Sequence, residues 1–149
     1  MRLKRIANAR YATLDGGGGL RVDGRWHSKG RPIVYLADST ALALLELTVH
    51  MEVPHAALPN YMLLDVHVPD DVDIEHADWV EPEEVVCRRF GDEWLASGRT
   101  ALVRVRSIIV PDGFNVLLNP MHPDASRVRV VRTAALPIDP RLAPSKRGS

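Results

Sequence analysis

Apolar residues recur along the chain with two different periods, and the change from one to the other marks out the elements. Residues 61–68, Tyr-Met-Leu-Leu-Asp-Val-His-Val, place Met62, Leu64, Val66 and Val68 on one side, the alternation of a half-buried strand. Ile33-Val34-Tyr35-Leu36-Ala37 predicts a short strand with Ile33, Tyr35 and Ala37 on one face. It runs into Ser39, a good N-cap, and then into Thr40-Ala-Leu-Ala-Leu-Leu-Glu-Leu-Thr-Val-His-Met51, where Leu42, Leu44, Leu45 and Leu47 predict a helix that is apolar nearly all round and mostly buried. Further strands are expected at 101–110, 116–118 and 127–131, with Pro111-Asp112-Gly113 as the turn between the first two. A short helix around Trp94 is expected at 91–97. The acidic, proline-containing stretch 69–84 reads as loop, the run Asp15-Gly16-Gly17-Gly18-Gly19 as a flexible loop, and the tail 143–149 as frayed. Strands outnumber helices in a mixed order and no linker divides the chain, so the expected class is α+β, a single compact domain at 1–142.

Charge changes this picture only locally. Nineteen Lys/Arg balance nineteen Asp/Glu over 149 residues, which argues against a general nucleic-acid or membrane surface. Residues 1–10 carry Arg2, Lys4, Arg5 and Arg10 without an acid, whereas 65–93 hold eleven Asp/Glu against Arg88 and Arg89. The sign reverses again over 99–132, where six arginines face Asp112 and Asp124. Solvated strands account for such runs, and so does a basic cleft for an anionic ligand beside an acidic segment. One isolated cysteine, Cys87, forms no internal disulfide, and no apolar run approaches the roughly 20 residues of a membrane span, so a reducing, cytoplasmic setting is expected.

Most chemical motifs are absent. There is no GxGxxG, GxxxxGK[ST], HExxH, GxSxG or DxDxDG, and the six histidines at 27, 50, 55, 67, 76 and 122 do not cluster, so no metal is expected. What remains is polar residues among apolar ones. Ser39, Ala43, Glu46 and His50 follow helical spacing, so Glu46 either faces water or is a carboxylate held over a cleft by a rigid element. Ser107 shares a strand face with Ala101, Val103, Val105 and Ile109, and its hydroxyl serves either the backbone or a ligand. Arg25, in Gly24-Arg-Trp-His27, offers a rigid fork of donors suited to phosphate oxygens, or else stacks on Trp26. Tyr35 is either core or a stacking face for a flat heterocycle.

Taken in order, Gly24-Arg25-Trp26, Val34-Tyr35-Leu36-Ala37-Asp38-Ser39 leading into Ala41 to Glu46 and His50, Trp94-Leu95, Arg104-Val105-Arg106-Ser107 before Val110-Pro111, and Asn115-Val-Leu-Leu-Asn119-Pro120 with His122-Pro123-Asp124 resemble the RES domain. The likeness spans about residues 5–142, and the Arg, Glu and Ser of the family name match Arg25, Glu46 and Ser107. It implies an ADP-ribosyltransferase-like fold and a bacterial toxin that consumes NAD+ as a substrate, by phosphorolysis or hydrolysis, or that ADP-ribosylates a protein. It also implies that Arg25 and Arg5 hold the pyrophosphate and ribose region, that Tyr35 stacks at the nicotinamide end, and that Glu46 stabilises the cationic sugar while Ser107 orients it. Arg106 and Asn119 are weaker members of the same cleft. Beyond NAD+ the resemblance implies no cofactor. It implies a cognate Xre-type antitoxin that plugs the cleft, inorganic phosphate as one acceptor, and a homodimer or a hetero-oligomer with the antitoxin. His27 stands where the family more often has Asn, which leaves that position's role open.

Overall fold

A computed structural model describes residues 1–79 and 82–144. Seven strands form one mixed sheet: β1 (Arg2–Asn8), β2 (Val34–Ala37), β3 (Tyr61–His67), β4 (Ile74–Ala77), β5 (Leu102–Arg106), β6 (Phe114–Leu118) and β7 (Arg129–Ala135). Two α-helices accompany them among the described residues, α1 (Thr40–Thr48) and α2 (Glu84–Ser97). The order across the sheet is β4-β5-β6-β2-β1-β3-β7. All neighbours are antiparallel except β4 and β5. The middle is the narrowest part, because β1 and β2 are in register through the pair Lys4 and Ala37 alone. The sheet therefore behaves as two halves, β4-β5-β6-β2 and β1-β3-β7, meeting along one short seam.

Alternation of side chains divides the core between the two faces. On one face Leu3, Leu36, Leu64, Val66, Leu102, Val116 and Leu118 pack together beneath Val72, Val128 and the partly buried Ala12 and Leu14. On the other, Val103, Val105 and Leu117 lie under Cys87 and Trp94 of α2, while Ala37 and Ile6 receive Leu42 and Ala43 of α1. Trp94 is fully buried and satisfies its indole N–H on the Thr100 hydroxyl at 2.9 Å. Truncating such an aromatic costs about 3–5 kcal/mol.

The expected strands at 33–37, 61–68, 101–110, 116–118 and 127–131 are present with shifted ends, and Ser39 caps α1 by accepting the Leu42 amide at 3.1 Å. Four expectations change. The 69–84 loop contains β4, a four-residue parallel strand, too short to impose a pattern on its acidic surroundings. The helix around Trp94 begins at Glu84; only Cys87, Gly91 and Trp94 of it are buried, and Arg88, Arg89 and the exposed Val85 and Val86 break the apolar pattern of its first turns. The leucine-rich helix is shorter and only half covered: Leu42 and Ala43 are buried but Leu45 is 42% exposed, since the sheet meets one side of it. The glycine run folds into a 3-10 turn, Gly17–Leu20, with Gly16 at φ 77° and Gly19 packed so closely on the Arg31 carbonyl that a Cβ has no room. The proposed tail covers 143–149, of which 145–149 lie outside the described residues. Among the described residues no helix is long and apolar enough to cross a membrane.

Candidate functional site

The face that carries the two helices gathers most of the singled-out polar residues. Across it, Tyr35 pairs with Leu117 and Ala37 with Asn115, while Val105 pairs with Asn115 from the other side. Tyr35 and Asn115 are thus diagonal neighbours on one face, about 7–8 Å apart between Cα atoms. Ser107 continues the row of Val103 and Val105 just beyond the end of β5, and it is only 3% exposed.

Glu46 descends on this row from α1, on the stripe of Leu42 and Ala43 that faces the sheet. Its Oε1 accepts a hydrogen bond from the Ser107 hydroxyl at 2.8 Å and another from the Asn115 side-chain amide at 2.9 Å. The direction of the first bond is enforced, because the Ser107 oxygen already accepts the Ile109 and Val110 amides, both at 3.1 Å. A hydroxyl has one proton, and here the carboxylate is left to receive it. Among the described residues no donor reaches Oε2. Of the two readings of Glu46, the structure selects the inward one.

The second group lies at the far end of β2 on a turn. Gly24 and His27 form an isolated bridge, with the Gly24 amide donating to the His27 carbonyl at 3.0 Å, so Arg25 and Trp26 occupy the turn's centre. Arg25 is half-buried and donates through Nη2 to the Pro82 carbonyl at 3.1 Å. The hydroxyl of Tyr35 accepts the Trp26 amide at 3.2 Å and lies 2.6 Å from His27 Nδ1, and burial pushes its ionisation well above the ordinary tyrosine value. Helix α2 clamps the same segment: Arg88 Nε donates to the Gly24 carbonyl at 3.1 Å, and Asp92 receives the Ser28 amide and hydroxyl at 2.8 and 2.5 Å. The clamp depends on Gly91, where a Cβ would run into the Trp26 carbonyl.

Three sequence-derived candidates are not brought to Glu46. Arg5 pairs opposite Leu64 and leaves β1 on the face opposite Ile6, whose side chain packs toward α1. Its Nη2 reaches the Tyr11 carbonyl at 3.4 Å, its Nε is buried without a hydrogen-bond partner among the described residues, and burial lowers its affinity for a proton. Arg106 alternates away from Val105, bonding the Asp78 carbonyl at 2.8 Å and the Pro111 carbonyl at 3.3 Å. Asn119 is 3% exposed and occupied locally, donating to the Leu95 carbonyl at 3.3 Å and accepting the Met121 amide at 3.0 Å. It stands four residues along from Asn115, about 13 Å at strand rise. Asn115 is the residue that sequence reasoning passed over. Its signal was a polar residue in the alternation Asn115, Leu117, Asn119, but nothing local said which asparagine lay beneath Glu46. Among the described residues no group of His, Cys, Asp and Glu is arranged to hold a metal ion.

This sheet with helices on one face is also found in the crystal structure of the M. tuberculosis MbcT-MbcA toxin-antitoxin complex, which superposes with a TM-score of 0.72 at 18% identity, covering 95% of this chain and 85% of that one. The RES domain model matches residues 2–139, and the chain belongs to that family. It is 39% identical over 125 residues to Toxin Res of Pseudomonas putida, covering 80% of this chain and 86% of the relative. It is 40% identical over 140 residues to the Prs ADP-ribosylating toxin of a Sphingobium species, covering 87% and 86%.

Proposed function

We propose that the chain is the toxin of a toxin–antitoxin pair and that it breaks the nicotinamide glycosidic bond of NAD+. The observation that carries this reading is the Glu46 carboxylate, held at Oε1 by Ser107 and by Asn115, itself the diagonal neighbour of Tyr35 in the sheet, with no donor on Oε2 among the described residues. Leaving nicotinamide is a neutral pyridine that needs no general acid, whereas the sugar it leaves becomes cationic. A fixed, oriented anion lowers the energy of that charge, and because Ser107 and Asn115 are already in place, little reorganisation is needed during reaction. Tyr35 supplies a ring whose hydroxyl is fully engaged, so it serves as a wall to the nicotinamide end. Arg25 at the turn takes a phosphate oxygen of the pyrophosphate. NAD+ is the substrate, and the mechanism calls on no further cofactor.

Phosphate or water is the acceptor in this reading, and the cell compartment is the cytoplasm, where NAD+ is consumed until an Xre-type antitoxin covers the site. The structural neighbour is part of a toxin-antitoxin complex, which supports the existence of such a partner. A second reading, transfer of ADP-ribose to a protein, is favoured by the relative named as an ADP-ribosylating toxin. The same Glu46 geometry serves both, since the acceptor enters only after charge has developed.

The test is to incubate the purified chain with NAD+, with and without inorganic phosphate, and identify products by mass spectrometry. The expected result is nicotinamide release, with ADP-ribose-1″-phosphate formed only in the presence of phosphate for a phosphorylase, or ADP-ribose in both for a hydrolase. Intact NAD+ in both tubes, together with an ADP-ribosylated protein after addition of lysate, selects the second reading. Intact NAD+ throughout overturns both.

A further inference from the structure

His27 takes no direct part in the mechanism above, yet it is buried at 3% exposure and both its ring nitrogens are engaged. Nε2 lies 2.9 Å from the Val22 carbonyl, which only accepts, so Nε2 carries the proton. Nδ1 of the neutral ring is then an acceptor, and 2.6 Å away is the Tyr35 hydroxyl, which donates to it. That hydroxyl oxygen in turn accepts the Trp26 amide at 3.2 Å. The result is a directional chain, Trp26 N–H to Tyr35 O to His27 Nδ1, ending on the loop at Val22. The turn bearing Arg25 is held between Gly24 and His27 and is packed with no slack: a Cβ on Gly24 would strike the Tyr35 hydroxyl and the His27 ring.

Resting on the reading of NAD+ cleavage, we propose that His27 is a positioning residue for substrate binding, which orients the Tyr35 hydroxyl and through it the Trp26 amide and the Arg25 turn. Protonation of His27 places a second donor against the Tyr35 oxygen and turns the hydroxyl proton away, which breaks the chain's direction. The bond to the Val22 carbonyl and the nearby charges of Asp92 of α2 and Asp23 of the same loop favour the charged ring, and Arg88 and Glu84 of α2 act on Tyr35. Burial outweighs the Val22 bond and the two aspartates and holds the imidazole below the ordinary histidine value of 6.5.

The experiment compares wild type with His27→Phe, which keeps a ring but removes the acceptor, and His27→Asn, whose amide oxygen overlays Nδ1. For His27→Phe we expect KM for NAD+ to rise about tenfold with kcat within about threefold, because Arg25 binds and Glu46 performs the chemistry. Misfolding would instead lower kcat and leave KM unchanged. His27→Asn restores KM to within about threefold and removes the rise in KM that wild type undergoes as pH falls through the lowered value of the buried His27. Hydrogen exchange at the Trp26 amide supplies a readout that needs no turnover: it quickens in His27→Phe and in acidified wild type, and is slow in His27→Asn. Wild-type Trp26 exchange in His27→Phe with unchanged KM overturns the proposal. No turnover by wild type, with Trp26 exchange still following His27, overturns the NAD+ reading and leaves the positioning chain standing.

Discussion

The two polar clusters on the helix-bearing face of the sheet are built on opposite principles. Glu46, Ser107 and Asn115 come from a helix, the turn following a strand and a strand, and their bonds run side chain to side chain over segments packed into one core. Arg25, Trp26 and His27 come from a turn, and what holds them is chiefly backbone, through the Arg88 contact to the Gly24 carbonyl and the Tyr35 contact to the Trp26 amide. A carboxylate that must meet charge developing at one atom needs a rigid frame, since misplacement there costs rate directly. An arginine that meets a phosphate tolerates a softer mounting. In the proposed reading the comparison therefore separates a cluster that sets the rate from one that binds.

Glu46→Gln attacks the first cluster hardest. It keeps a hydrogen-bonding side chain but removes the charge, and nicotinamide release should fall at least about 100-fold with KM little changed, as measured by steady-state kinetics. Gly91→Ala attacks the second from behind. With the Trp26 carbonyl in the way, α2 must shift, and thermal unfolding should show a loss of about 1–3 kcal/mol together with a raised KM. Asn115→Ala and Ser107→Ala sharpen the first cluster by removing one donor each to Oε1, and each should lower kcat about tenfold or more. The double variant should lose less than the product of the two, because both act on one oxygen. Smallest is the effect of acid on stability through His27. Its folded value is lowered, so the unfolded chain binds the extra proton, and stability should be complete above pH 6.5 and decline as pH falls through that value toward the folded one. In His27→Asn this part of the pH dependence of thermal unfolding should disappear.

How much of this was legible in the sequence follows the range of the interaction. Strand periodicity grouped Tyr35 with Ala37 and grouped Val103 and Val105 with Ser107, and the sheet keeps both groupings and brings them onto one face. Helical spacing put Ala43 and Glu46 on one stripe, but the water-facing and inward readings have the same spacing, and only the position of β6 under α1 distinguishes them. The same ambiguity divided the asparagines: both lie on one strand face, and the difference between Asn115 beneath Glu46 and Asn119 against Leu95 is about 13 Å of strand. Arg5 illustrates the converse. A position next to Ile6 in sequence lies across the sheet from it in space, and a residue-by-residue likeness carries no information about that face.

By itself the sequence determined the strands with clear alternation, the N-cap at Ser39, the strand-side Ser107 and the family to which the blocks of residues belong. These depend on neighbours within a few positions, or on a spaced pattern that the chain carries whole. The tertiary structure decided that β4 joins the sheet, that the glycine run closes into a turn, that Glu46 turns inward, and that Asn115 and His27 support the two clusters. The inward turn of Glu46 and the support from Asn115 and His27 rest on contacts between residues 8 to 69 positions apart. Such contacts form only when burial of apolar surface has brought the segments together, and no local period encodes them.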